Sequence, residues 1–266
     1  MSAAEAQTVD GSLRVVPQSQ AVCLLDGPFV IDDERRIHVP EGSEKLLVFV
    51  ALRNGRAVSR RTVAGTLWPA VNEDRAAGNL RTALWRLRSS GIRLLEADRH
   101  TLAVTRGTSV DVFALDEWAS RLIDGTASRE DFSLHHFNPA AMELLSGWYD
   151  DWVIFERERL RQRLLHALEV LSQRLAEECL FGEAVEAAMT AIQIDPLRES
   201  AQRSLILVHL SEGNVAEALR TYAAYVRLLD SELGIAPTPE LTRLVHVPRA
   251  AGAEVASVTG GGSRGG

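Results

Sequence analysis

Nine arginines fall between residues 59 and 106, against four acidic residues, Glu73, Asp74, Glu96 and Asp98. A guanidinium is always charged and donates in a planar fork, so it matches phosphate oxygens and the O6/N7 edge of guanine. Spacing sharpens the point. On a wheel of about 100° per residue, the stretch NLRTALWRLR, residues 79–88, gathers Leu80, Ala83, Leu84 and Leu87 on one stripe. Nearly opposite lie Arg75, Gly78, Thr82, Trp85, Arg86 and Ser89, with Asn79 and Arg81 flanking them. The stripe needs a core behind it. The other face offers arginine for guanine and a threonine methyl for thymine, which suits a helix lying in the DNA major groove. Arg60 and Arg61 begin the preceding helix, where the N-terminal dipole already favours phosphate. Arg99 and His100 sit on a polar tip between two short apolar runs, a place from which the backbone or minor groove is reached. An arginine-rich amphipathic helix is by itself more often a solvated face. Its place as the third helix, before a hairpin and inside a segment of net charge +5, favours DNA. Trp85 has two readings: it stacks on sugar or a thymine methyl, or it lies beside the hairpin as core. Partial burial is expected for it, and Trp68, before Pro69, is expected in the core.

These residues need a scaffold. Val22, Leu24, Phe29, Ile31, Ile37 and Val39 alternate roughly, with turn signals at Asp26-Gly27-Pro28 and Asp32-Asp33-Glu34, predicting two to four short antiparallel strands over 21–41. Ser43 is placed to cap a helix carrying Leu46, Leu47, Phe49, Val50 and Leu52. Ser59 is placed to cap a second, with Val63, Ala64 and Leu67 inward. The third helix is expected from about Asp74 to Ser90, stopping at Gly91. Leu94-Leu95 and Leu102-Ala103-Val104 flank the tip Ala97-Asp98-Arg99-His100 as a β-hairpin. Strands, three helices and a hairpin make a winged helix-turn-helix over residues 21–111.

Beyond this the pattern is helical almost throughout, from Val112 to Val245. Phe181, Ala184, Ala188 and Ile192 are matched by Val215, Ala218, Tyr222 and Val226, a 34-residue period and the tetratricopeptide spacing. Asp195-Pro196 closes the first repeat and Asp230 the second. Leu160, Leu164, Leu168, Leu171 and Leu175 share one face of a helix over 156–178, which supplies a third layer. The expected fold is mainly α: a winged helix with a small antiparallel sheet and wing hairpin, then an all-α tetratricopeptide-like domain over 112–248. Residues 1–20 read as a disordered tail and 249–266 as a flexible Gly-rich tail.

The whole chain carries −7, which alone argues against nucleic acid, but residues 21–111 sum to +3 and 112–248 to −10. Only the first half is expected to meet phosphates. Cys23 and Cys179 are far apart and in no ligand spacing, as in a reduced, cytoplasmic protein. No apolar run is long enough to span a bilayer.

With those residues in view, the chain resembles the Streptomyces antibiotic regulatory protein family of transcriptional activators. The carriers are LWP (67–69) and NLRTALWRLR in the first half. In the second they are GWYDDW (147–152), ERERLRQ (156–162), DPLRES (195–200), EGNVAEALRTY (212–222) and ELGIAPTPEL (232–241). The resemblance implies a response-regulator-type winged helix followed by a bacterial transcriptional activation domain. It implies binding to direct repeats in promoter DNA as side-by-side protomers, at least a homodimer on DNA. It also implies recruitment of RNA polymerase to secondary-metabolite (antibiotic) genes. The recognition role falls on Arg75, Asn79, Arg81, Thr82, Trp85 and Arg86. Trp85 departs from the family, where a small polar residue is usual. The absence of a nucleotide-binding, phosphopeptide or receiver segment implies a short-form member.

No catalytic pattern emerges. There is no phosphate-binding glycine loop or nucleophile elbow, and His135-His136 has no partners in metal spacing. No enzyme activity, cofactor or metal is therefore expected. Asp150, Asp151, Glu156 and Glu158 read as caps and a solvated face, and Trp148 and Trp152 as internal packing. Two competing classes remain open: a protein-interaction scaffold, and a regulator that senses a ligand in the helical groove.

Overall fold

A computed structural model describes residues 20–25, 27–32, 35–134 and 144–245. Residues 1–19, the tail 249–266 and His135-His136 lie outside the described residues, and Gln20, expected in the first tail, already belongs to a strand. Strands β1 (Gln20–Cys23), β2 (Phe29–Asp32) and β3 (Arg35–His38) form an antiparallel meander. A fourth strand, β7 (Ser109–Val110), joins the free edge of β1 in parallel. Alternation in sequence marks which face of a strand is buried but not which edge it pairs with, so this parallel partner from residue 109 was not foreseen.

Three helices follow: α1 (Glu44–Ala51), α2 (Arg60–Leu67) and α3 (Glu73–Ser89). The Ser59 side chain accepts from the Thr62 N–H at 3.0 Å, capping α2 as expected. Ser43 does something else. It stands at the start of α1 but makes no cap; its buried hydroxyl donates to the Ala83 carbonyl of α3 at 3.1 Å. A cap position names a backbone site, and here a buried neighbour competes successfully for the hydroxyl. Asn72 caps α3 through the Arg75 N–H at 3.0 Å, and Glu73 and Asp74 complement the helix dipole in the first turn. The helix ends before Gly91, whose φ of +90° a side chain would resist. The wing is a three-stranded sheet in which β6 (Thr101–Val104) lies between β5 (Leu95–Ala97) and β4 (Val58–Ser59).

Leu80, Ala83, Leu84 and Leu87 are buried, as their stripe requires, among Leu46, Phe49, Val63, Leu94 and Leu102. Each fully buried leucine contributes about 1.5–3 kcal/mol. The same cluster continues through Val112, Leu115, Leu144, Leu145, Val153, Leu160 and Leu164, so the basic and acidic halves share one core. Their junction is tight. β7 leads directly into α4 (Asp111–Ile123), and the Asp111 carboxylate accepts from the backbone N–H groups of Leu24, Leu25 and Val112 at 2.8–3.0 Å. Burial pushes the Asp111 carboxyl up to about 6, outweighing the N–H donors that pull it down.

The second half is helical: α5 (Asp151–Glu177), α6 (Phe181–Ile194), α7 (Glu199–Ser211), α8 (Val215–Leu233) and α9 (Pro239–Val245). Leu160, Leu164, Leu168, Leu171 and Leu175 are buried on α5. α6 and α8 begin at Phe181 and Val215, one period apart. Ala184, Ala187, Ala188 and Ala191 are fully buried, small enough for α6 to lie close against its neighbours. α8 does not end at Asp230 as its sequence suggested. It runs to Leu233 and stops at Gly234 in the left-handed conformation, φ +66°.

Candidate nucleic-acid interface

The interface is built from the start of α2, the outer face of α3 and the wing tip. β4 pairs with β6 and runs straight into α2, so the wing sheet and the helix N-terminus are directly joined. Arg60 reinforces this: its N–H donates to the His100 carbonyl at 2.9 Å and its Nη1 to the Asp98 carbonyl at 3.3 Å. The Asp98 carboxylate in turn accepts from the N–H groups of Thr101 and His100, both at 2.6 Å, and from the Thr101 hydroxyl at 2.8 Å. These donors, the Thr101 N–H foremost, hold its carboxyl down at about 2. The result is a shaped turn that presents Arg99 and His100 to solvent.

A cleft between α2 and α3 is lined by Arg60, Arg61 and Arg81, together with Gly65, Trp68 and Ala77. The adjacent Arg60 and Arg61 thus meet Arg81, twenty residues on, on one side of the recognition face, with Glu73 and Asp74 also lining the cleft. Arg61 pairs with Glu73 at 2.6 Å, but both side chains are largely exposed. Such a pair is worth about 0–1 kcal/mol, so phosphate can compete for the arginine.

On α3, Arg75, Arg81, Thr82, Trp85 and Arg86 are exposed and Asn79 is half-buried. Among the described residues none of Arg75, Arg81, Arg86 and Arg88 forms an ion pair. Arg86 leans back, with Nη1 3.4 Å from the Glu41 carbonyl oxygen. The Thr82 hydroxyl donates to the Gly78 carbonyl of its own helix at 3.1 Å. Trp85 overturns the expectation of partial burial: it is 67% exposed. Leu80, Ala83, Leu84 and Leu87 already fill the space behind α3, so the indole has no core left to enter. Trp68, expected in the core, is only half-buried and packs against the edge of that cluster.

Three residues went unnoticed in the sequence. Arg88 is exposed on α3 seven residues after Arg81, so the two lie nearly in line along one flank, and that spacing was the available signal. Asp111 holds the junction of the halves. Arg157, half-buried, donates to the carbonyl oxygens of Leu144 at 2.8 Å, Leu145 at 2.6 Å and Trp148 at 3.0 Å, pinning the segment that enters α5. Nothing in sequence marks these last two, because their partners are backbone groups.

Three more arginines of α5 are engaged internally, while Arg174 in its last turn forms no ion pair among the described residues. Arg159 meets Asp116 and Glu156, Arg161 meets Glu158 and Asp195, and Arg163 meets Asp116. Arg161, ahead of Gln162, holds the Glu158 carboxyl down at about 2. Asp150, expected as a cap, stands at the cap position without capping and pairs with Lys45 of α1 at 2.7 Å. The tryptophans of GWYDDW pack inward: Trp152 meets Phe49 edge to face at 5.2 Å and Trp148 at 6.4 Å.

An arginine-faced third helix, a wing and a helical-pair domain built onto the same core match a known arrangement. The sequence profile of the bacterial transcriptional activator domain matches residues 82–247. The chain belongs to that family. The match begins within α3 and takes in β5–β7 and α4–α9. Curated relatives agree: the regulatory protein AfsR of Streptomyces coelicolor is 27% identical over 207 residues, and that of Streptomyces griseus 29% over 211. Each match covers 75% of this chain and 21% of the relative, so the chain spans about a fifth of their length. The chain is therefore a member of the bacterial transcriptional activator domain family that is similar, over this part, to two Streptomyces regulatory proteins. Its fold is shared with Mycobacterium tuberculosis EmbR, solved in complex with a low affinity phosphopeptide. That comparison has a TM-score of 0.64 and 17% identity, over 85% of this chain and 64% of that one. Among the described residues, no helix is long and apolar enough to cross a membrane, and no cluster of side chains could hold a metal ion.

Proposed function

We propose that this activator binds promoter DNA sequence-specifically, with residues 21–111 as the reading module and 112–248 as the module that meets protein partners. α3 lies in the major groove. Arg75, Arg81 and Arg86 address guanine edges, with Asn79, Thr82 and Trp85 beside them. Arg60 and Arg61 at the start of α2, and Arg99 and His100 on the wing, hold phosphates and set the register. The observation that carries this reading is the arginine face of α3, which is exposed and has no ion pair among the described residues.

One such module reads few base pairs and buries little surface. Two protomers side by side on a direct repeat gain affinity through effective concentration. The helical domain, of net charge −10, sets their spacing and engages RNA polymerase. The genes served are those of a secondary-metabolite (antibiotic) cluster, and the work is done in the cytoplasm without a cofactor or a catalytic step.

The test is a mobility-shift titration against fragments of the gene's own upstream region at two salt concentrations. Tight, salt-sensitive binding to one fragment, lost in Arg86→Ala, is the expected result, since phosphate contacts release counterions. Absence of binding at low salt overturns the reading and leaves an interaction scaffold or an effector-dependent regulator.

A further inference from the structure

The proposed reading face contains an apolar spot as well as cations. Trp85 is 67% exposed in the last third of α3, with exposed Arg81 and Arg86 on either side of it. Thr82 precedes it by three residues, so the two side chains are neighbours on the helix surface. The Thr82 hydroxyl is committed to the Gly78 carbonyl. What Thr82 has left to offer a ligand is its methyl group.

An indole two-thirds exposed to water contributes little to the packing of this chain. The core behind α3 is complete without it: Leu80, Ala83, Leu84 and Leu87 are all buried. Trp85 also has no ring partner among the aromatic contacts of the described residues. In the major groove the one apolar group on a base edge is the C5 methyl of thymine. We infer that Trp85, with the Thr82 methyl, selects a thymine at one position of the binding site through its C5 methyl. The flanking Arg81 and Arg86 read or clamp the neighbouring positions. This rests on the DNA-reading proposal above and adds to it the identity of one base and the residue that chooses it.

Thymine and uracil differ by that methyl alone, and both pair with adenine, which makes the test clean. The full chain is used to select duplexes from a random pool, and thymines of the enriched motif are replaced one at a time by uracil. At one thymine the wild-type protein should bind about three- to fivefold more weakly after replacement, the effect of one buried methyl group. In Trp85→Ala that difference should vanish, the two duplexes binding equally, with the thermal midpoint unchanged because the side chain is exposed. Repeated selection with Trp85→Ala should lose the preference for thymine at that position only. An enriched motif with no uracil-sensitive thymine, or one whose sensitivity survives in Trp85→Ala, overturns the role of Trp85 and leaves DNA reading intact. Failure to enrich any motif overturns the DNA reading itself.

Discussion

Two helices of this chain are rich in arginine and use it in opposite ways. On α3, Arg75, Arg81, Arg86 and Arg88 face solvent without an ion pair among the described residues. On α5, Arg157 donates to three carbonyl oxygens, and Arg159, Arg161 and Arg163 meet Asp116, Glu156, Glu158 and Asp195; Arg174, near the far end of the helix, is the exception and has no ion pair among the described residues. The residue type is the same and the supply of nearby acceptors differs. α5 packs between α4 and α6 within the acidic half, so carboxylates from three elements reach it. α3 places acid only in its first turn, at Glu73 and Asp74, where it serves the helix dipole. The lesson is that counting arginines does not locate an anion site; what locates it is the absence of internal acceptors around them.

The largest effect should come from removing an engaged arginine. Arg157→Ala leaves the Leu144 and Trp148 carbonyls without this donor, and the Leu145 carbonyl with only the Trp148 N–H, and should cost about 2–4 kcal/mol of stability in urea unfolding. The folded variant should bind DNA as before. If stability is unchanged, α5 arginines are as dispensable to the fold as those of α3.

The seam between the two regions supplies the next test. Asp111 titrates near 6 in the folded chain, against about 3.8 for the ordinary side chain. Its carboxyl is raised, so the contribution is complete below about pH 4 and is lost as pH rises through about 6. The stability of the wild type relative to Asp111→Asn should therefore fall by about 2–3 kcal/mol between pH 4 and pH 7. Chemical unfolding at four pH values reads this directly. A flat difference would mean that the backbone N–H donors, not burial, dominate at the seam. Asp98 and Glu158, both held at about 2, act in a lower window. Their contributions are present above pH 4 and lost as pH falls towards 2.

For the solvent-facing set the effects belong to binding. Arg86→Ala should cost about 1–3 kcal/mol at the specific site and little at a scrambled one, with the melting temperature unchanged. Leaning on the Glu41 carbonyl at 3.4 Å, Arg86 must swing outward to do this. Equal loss on every sequence would reassign it to phosphate. Arg60→Ala should weaken all sequences alike and lower the salt slope by about one ion. This is the smallest change expected, and a sequence-dependent loss there would erase the division between reading and holding.

Much of this was legible in the residues themselves. The apolar stripe of α3, the leucine face of α5 and the 34-residue period all follow from side-chain spacing. Helical periodicity declares which face must be buried whatever the partner is. The arginines opposite that stripe follow from the same rule. The sequence thus determined by itself the helices, their buried faces and the list of candidate readers. The tertiary structure alone decided which polar group meets which. It sent the Ser43 hydroxyl to Ala83, paired β7 with β1, and buried Asp111 and Arg157 against backbone groups that every residue carries alike. It also left Trp85 in solvent, because burial depends on whether the core behind a helix is already full, and that is set by residues far away in the chain.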